Sequence, residues 1–301
     1  MKSLYVLVVV IIALGFSIAH SYAAEENPCL VCHVELKKPA ISVHAVLASG
    51  CQACHIPVEG KNHPDHKDSI ILIRNVPELC YDCHDRSQFK GKSVHPPVVM
   101  NICTACHNPH QSNLKRLLVK DIPGLCFECH NESSFKDKSV HQPVGKGMCI
   151  SCHAPHASNF SKILINDPPE LCYRCHDRKP FTKKYVHVAA AIPNGCRLCH
   201  NHHAGSNQKL ILHPVFDLCT NCHAGQKKGM HILGAIQLGF GESIHPVQGV
   251  EDPSNPPKEL TCTSCHNPHS SDFAKLFLQK YLCKKCHKEY SYLISSRSKE
   301  S

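Results

Sequence analysis

Eleven copies of Cys-x-x-Cys-His use all 22 cysteines of the chain, so its fold is constrained first by a covalent attachment point about every two dozen residues. The thiol pairs are Cys29 and Cys32, Cys51 and Cys54, Cys80 and Cys83, Cys103 and Cys106, Cys126 and Cys129, Cys149 and Cys152, Cys172 and Cys175, Cys196 and Cys199, Cys219 and Cys222, Cys262 and Cys265, and Cys283 and Cys286. The histidines closing them are His33, His55, His84, His107, His130, His153, His176, His200, His223, His266 and His287. In such a motif the two thiols add across the vinyl groups of a haem, and the adjacent imidazole is placed beneath the ring as the proximal iron ligand. The expectation is eleven covalently bound haem c groups. A zinc site needs two such arms or a distant His pair and does not require His directly after the second Cys. A redox dithiol would not recur eleven times, and a disulfide framework would not keep one fixed local spacing.

The N-terminus predicts the compartment. Lys2 precedes an apolar stretch from Leu4 to Ile18 and the small-residue segment Ser21-Tyr22-Ala23-Ala24. This has the form of a secretory signal peptide over residues 1–23, cleaved after Ala23. The apolar stretch is short for a membrane span of about 20 residues. No cysteine adjoins the cleavage point, which argues against a lipidated N-terminal Cys. The expected mature protein is exported to the periplasm, or beyond it to the cell surface, and keeps no membrane span.

Eleven haems on the remaining chain leave roughly 25 residues each, too few to wrap every cofactor in an apolar core of its own. The haems are therefore expected to pack on one another, with thioether and iron–nitrogen bonds stapling the chain as metals staple small scaffolds. Trp is absent, and 21 Pro with 15 Gly suit a loop-rich wrapping. The expected fold class is mostly irregular with short α-helices and little or no β-sheet, around a haem-stacked core.

From Cys80 to Cys219 the motif starts are 23 or 24 residues apart, but the repeating unit is two motifs long. Ser93-Val94-His95, Ser139-Val140-His141 and Tyr185-Val186-His187 recur at intervals of 46 residues, each shortly before a motif. That motif carries a tag: Asn108-Pro109-His110, Ala154-Pro155-His156, Asn201-His202-His203 or Asn267-Pro268-His269. The partner motif follows Leu, as in Pro77-Glu78-Leu79-Cys80, Pro123-Gly124-Leu125-Cys126 and Pro169-Glu170-Leu171-Cys172, where Pro is expected to open a short helix. The chain thus reads as a half unit at Cys29 and five two-haem units beginning near His44, His95, His141, His187 and His245. Two places break the rhythm: six extra residues between Cys51 and Cys80, around His63 and His66, and an insertion after His223. The predicted organisation is a nine-haem region over 24–224, a Gly/Pro-rich insertion over 225–258, and a two-haem region with a polar tail over 259–301.

Of 26 histidines, 11 close motifs and His20 lies in the signal segment, leaving 14 as sixth ligands for 11 irons. Met could compete only at Met100, Met148 and Met230, so bis-histidine ligation is expected, without the potential-raising effect of Met. The candidates in repeat positions are His44, His95, His110, His141, His156, His187, His203, His245 and His269. His63, His66, His202, His213 and His231 compete for the remaining two irons. A tag His three residues beyond a proximal His cannot easily reach the far face of the same ring, so it is expected to serve a neighbouring haem.

A basic residue recurs nine positions after a proximal His, at Arg116, Lys162, Lys209 and Lys275. Each is a candidate partner of a haem propionate, or a solvated residue at a helix start. The formal charge of +9 does not point to nucleic acid. Losing Lys2 leaves +8, and eleven haems bring about 22 propionates, so the holoprotein is expected to be acidic.

The Cys-x-x-Cys-His-Asn-Pro-His tag, the Leu-Cys-x-x-Cys-His partner and the stretch from His245-Pro246-Val247 to Asn267-Pro268-His269 resemble the doubled-CXXCH multihaem c-type cytochromes, and the resemblance covers nearly all of the mature chain. It implies closely spaced haems forming a wire, in bacteria that respire anaerobically and pass electrons across the periplasm, through outer-membrane conduits or to extracellular acceptors. The leading expectation is an electron carrier that exchanges electrons with redox proteins, other cytochromes or an outer-membrane porin, with no catalytic residue. One alternative is a multihaem reductase of nitrite, hydroxylamine or sulfur oxyanions, which requires one iron with an open position. Another is a subunit of a haem filament or of a porin-cytochrome conduit.

Overall fold

The computed structural model describes residues 27–227, 231 and 245–287. The expected signal peptide, Met230, most of the first half of the insertion and the polar tail after His287 lie outside the described residues. Among those described, the buried apolar side chains are Leu164, Ala204 and Leu260, whereas Val31, Val99 and Val188 are 67%, 64% and 74% exposed. A chain of this size with a polypeptide core would bury far more. Its apolar side chains instead line the stretches around the Cys-x-x-Cys-His motifs.

Regular structure is confined to single turns, in line with the expected fold class. Helices of four to six residues carry or adjoin the motifs, among them Cys29–Cys32, Glu78–Tyr81, Gly124–Phe127, Glu170–Tyr173, Val215–Thr220 and Cys262–Cys265. Pro77, Pro123 and Pro169 stand at the N-caps of three of these, so each Pro flanks its helix rather than occupying the first helical position. Tighter 3-10 turns hold Cys51–Ala53, Cys103–Ala105, Cys149–Ser151, Gly195–Leu198 and Leu282–Lys285. From Cys80 onward, the amide of each motif histidine donates to the carbonyl of the motif's first cysteine at 2.9–3.1 Å. One closed turn therefore presents two thiols and an imidazole together.

Long-range order comes from two-residue antiparallel ladders. Ser42–Val43 pairs with Gln111–Ser112, Ser93–Val94 with Ala157–Ser158, Ser139–Val140 with Ala204–Gly205, and Tyr185–Val186 with Ser270–Ser271. In all four, the segment that opens one unit pairs with the segment following the tag of the next. Such ladders are too short to stand alone. They mark register rather than supply stability. Gly91 permits one of them: a Cβ there would lie 2.5 Å from the Ser158 carbonyl oxygen. A fifth ladder, His55–Pro57 with Ile70–Leu72, closes a hairpin over the six extra residues of the first unit.

Candidate haem-binding sites

Every motif histidine faces one histidine from elsewhere in the chain. The ring centres are 6.1 Å apart for His33 and His63, 6.0 Å for His55 and His110, 6.1 Å for His84 and His44, and 5.9 Å for His107 and His156. They are 6.2 Å apart for His130 and His95, 6.1 Å for His153 and His203, 6.2 Å for His176 and His141, and 6.0 Å for His200 and His269. The last three pairs are His223 with His187 at 6.1 Å, His266 with His231 at 6.4 Å, and His287 with His245 at 6.1 Å. Two imidazoles bound through their outer nitrogens to one metal, at about 2 Å per bond, have ring centres about 6 Å apart once roughly 1 Å from nitrogen to ring centre is added on each side. The pairs fit an iron between them, with two thiols beside one ring to fix a porphyrin. Among the described residues, no group of three or more His, Cys, Asp or Glu is placed to hold a bare metal ion.

Backbone carbonyls set the tautomer of these rings. His107, His153, His200 and His266 donate from Nδ1 to the carbonyls of Arg116, Lys162, Lys209 and Lys275 at 2.8–3.1 Å. On the opposite side, His44, His95 and His141 donate from Nδ1 to Pro109, Pro155 and His202 at 2.7–3.0 Å, and His187 hydrogen-bonds the Pro268 backbone. A carbonyl only accepts, so each Nδ1 carries the proton and Nε2 keeps its lone pair for a metal. Burial also favours the neutral form: it lowers the pKa of His110, His156, His187 and His269, and takes that of His203 down to about 4. Phe89, Phe135 and Phe181 pack on His156, His203 and His269 at 5.0, 4.9 and 4.6 Å.

The recurring basic residues therefore act at least through their backbone. Arg116, Lys162, Lys209 and Lys275 adopt left-handed conformations, as do Leu117, Ile163, Leu210 and Leu276 after them. That double left-handed turn, unusual for residues with a Cβ, points the basic residue's carbonyl back at the imidazole nine positions earlier. The expectation of a helix start is corrected here, because two successive residues with positive φ cannot continue a right-handed helix.

Among the five competing histidines, His63 and His231 stand opposite motif rings. His63 is steadied by Nδ1 against Ser69 Oγ at 3.1 Å. His66 is exposed on the loop between the hairpin strands and faces no motif ring, nor does His213. The His202 ring lies tilted against His203, centres 4.5 Å apart, and its carbonyl is what receives His141. Met100 and Met148 are 60% and 46% exposed, and each motif ring already has a histidine opposite it.

Successive motifs touch in chain order. Thiols of Cys29 and Cys51, Cys80 and Cys103, Cys126 and Cys149, Cys172 and Cys196, and Cys219 and Cys262 stand close enough for the second thiol to raise the pKa of the first. Between these contacts, Cys54 and Cys80, Cys106 and Cys129, Cys152 and Cys175, Cys199 and Cys222, and Cys265 and Cys286 are close enough to interact electrostatically. A closer and a looser approach thus alternate from each motif to the next along the chain.

The family described as doubled CXXCH motif matches residues 44–89, 95–135, 141–181, 189–228 and 255–291. The chain belongs to the doubled CXXCH motif family. Such repeats indicate covalently bound haem c and a multihaem c-type cytochrome involved in electron transfer. No match was found among curated proteins.

The five doubled motifs interlock. The histidine opening each unit faces that unit's second motif, 35 to 42 residues on, in all five pairs from His44–His84 to His245–His287. Each tag histidine faces the first motif of the preceding unit, as His110 faces His55 and His269 faces His200. The tag backbone does the rest. Carbonyls of His110, His156, His203 and His269 accept from the amides of His44, His95, His141 and His187 at 2.8 Å. Three residues of one doubled motif thereby hold rings at two sites of its neighbour. Asn108, Asn201 and Asn267 tighten the tag by accepting, on Oδ1, from the amide of the tag histidine.

Both breaks in the rhythm fall where this exchange runs out. The half unit at Cys29 has no opening histidine, and the hairpin loop of the next unit supplies His63. Residues 288–301 contain no histidine, and the ring opposite His266 is His231 of the insertion. The first doubled motif has Ile56-Pro57-Val58 where the others have a tag, and no first motif precedes it to need one.

Proposed function

We propose that the chain is an exported undecahaem electron carrier, periplasmic or at the cell surface, with all eleven irons held by two histidines. The observation that carries this reading is the row of eleven ring pairs at 5.9–6.4 Å, every motif histidine having a partner. When bound, each haem supplies a one-electron iron couple. The chain's own residues fix the ligands, hold Nε2 free through Nδ1–carbonyl bonds, and keep neighbouring attachment points in contact along one line. An occupied sixth position at each site favours relaying electrons over binding nitrite, hydroxylamine or a sulfur oxyanion. Redox proteins, other cytochromes or an outer-membrane porin are the proposed partners, in anaerobic or extracellular respiration. The test is mediated redox titration of the purified holoprotein with parallel nitrite and hydroxylamine assays. Reversible uptake of eleven electrons per chain without turnover of either substrate is expected; turnover quenched by cyanide would overturn the reading in favour of a reductase.

A further inference from the structure

The two ends of the line of sites differ in chemistry. The residues between the cysteines of the first motif are Leu30 and Val31, whereas those of the last are Lys284 and Lys285. No other motif places two cations there. Residues 273–287 hold Lys275, Lys280, Lys284 and Lys285 and no Asp or Glu. Lys275, Lys280 and Lys285 are exposed, and Lys284 is half-exposed. The ammonium groups of Lys280 and Lys284 lie 5.0 and 5.1 Å from the ring centre of Tyr281, which gathers two like charges around one aromatic ring. The carboxylate sensing Lys285 is Asp252, which is 4% exposed and engaged by Ser254, so it does not mask the cluster from solvent. Within this cluster both cysteines of the last motif are exposed.

We infer that the last motif is a docking end for a small acidic electron-transfer protein. The inference rests on the electron-carrier reading above. Charge complementarity carries it: propionates would make most of the holoprotein negative, so a cationic end orients an anionic partner toward one terminal site and repels it elsewhere. At the opposite end Lys37, Lys38, Lys61 and Lys67 are interspersed with Glu35, Glu59, Asp65 and Asp68, so the first motif has no uncompensated cationic patch to steer with. In the encounter one electron leaves the reduced partner and one ferric iron becomes ferrous.

The test measures second-order electron transfer by stopped flow, from a reduced acidic flavoprotein and, separately, from a reduced lysine-rich monohaem cytochrome c, to the full-length holoprotein. Lys280→Glu/Lys284→Glu is compared with Lys61→Glu/Lys67→Glu, an equal charge change near the opposite end. The first variant is expected to slow the acidic donor about tenfold or more at roughly 10 mM salt, converging with wild type near 300 mM, and to speed the cationic donor. The second should change either rate less than twofold. Equal slowing by both variants would reduce the effect to net charge and overturn the docking end. So would an unchanged rate accompanied by a shifted haem potential, because the lysines would then serve propionates. Lys280→Gln/Lys284→Gln repeats the test if the glutamates lower haem content. Should wild type accept electrons from a small-molecule mediator but not from the flavoprotein, the docking inference falls and the carrier reading stands. If it accepts none from the mediator, the carrier reading itself fails.

Discussion

His203→Ala isolates one ligand of one proposed site. The His203 ring faces His153 at 6.1 Å and belongs to the tag of the unit after the Cys149 motif. Its backbone acts separately, since the His203 carbonyl accepts from the His141 amide at 2.8 Å and the His202 carbonyl accepts from His141 Nδ1 at 3.0 Å. Alanine removes the ring and leaves both carbonyls. The site pairing His141 with His176 should therefore keep its ligands, and one iron alone should lose its sixth ligand. In a chain of eleven haems that is about 9% of the iron converted from low to high spin. Low-temperature electron paramagnetic resonance with spin quantitation is the assay, and His66→Ala is the control, since His66 faces no motif ring. No high-spin iron in His203→Ala would refute the assignment of this tag to the preceding unit. Two high-spin irons would refute the separation between ring and carbonyl.

Other outcomes follow from the same geometry. Gly91→Ala drives a Cβ to 2.5 Å from the Ser158 carbonyl oxygen and should cost about 1–3 kcal/mol, read as a lower holoprotein melting temperature; an unchanged melt would mean that the two segments do not approach this closely. Lys162→Gly keeps the carbonyl that receives His153 and relieves a left-handed residue (φ 57), so it should be neutral or stabilising by up to about 1 kcal/mol with the spin state intact. A loss of haem there would assign the lysine side chain a larger role.

The attachment points and the two-motif period were legible because Cys-x-x-Cys-His is a local pattern whose chemistry needs no tertiary context. The single-turn helices and scarcity of sheet followed from crowding eleven attachment motifs onto so short a chain. Which ring meets which was not legible. His107 and His156 are 49 residues apart and His200 and His269 are 69 apart, joined through ladders of two residues that leave no alternation in the sequence. The regular recurrence of Arg116, Lys162, Lys209 and Lys275 was visible, but their shared work at the proximal imidazoles is done by a carbonyl, which every residue possesses. Left-handed Ile163 and Leu276 carry no Gly or Asn to announce the turn. The two irregularities were conspicuous as spacing, yet their sense emerges only once His63 and His231, one in each inserted stretch, are seen to face His33 and His266.

The central claim is that every iron is held between two histidines, and the most direct measurement is a pyridine-haemochrome count joined to low-temperature electron paramagnetic resonance of the oxidised holoprotein. Eleven haems per chain with low-spin signals accounting for all the iron is the predicted result. A high-spin signal amounting to one haem, shifting on addition of nitrite or hydroxylamine, would contradict it and place an open site among the eleven.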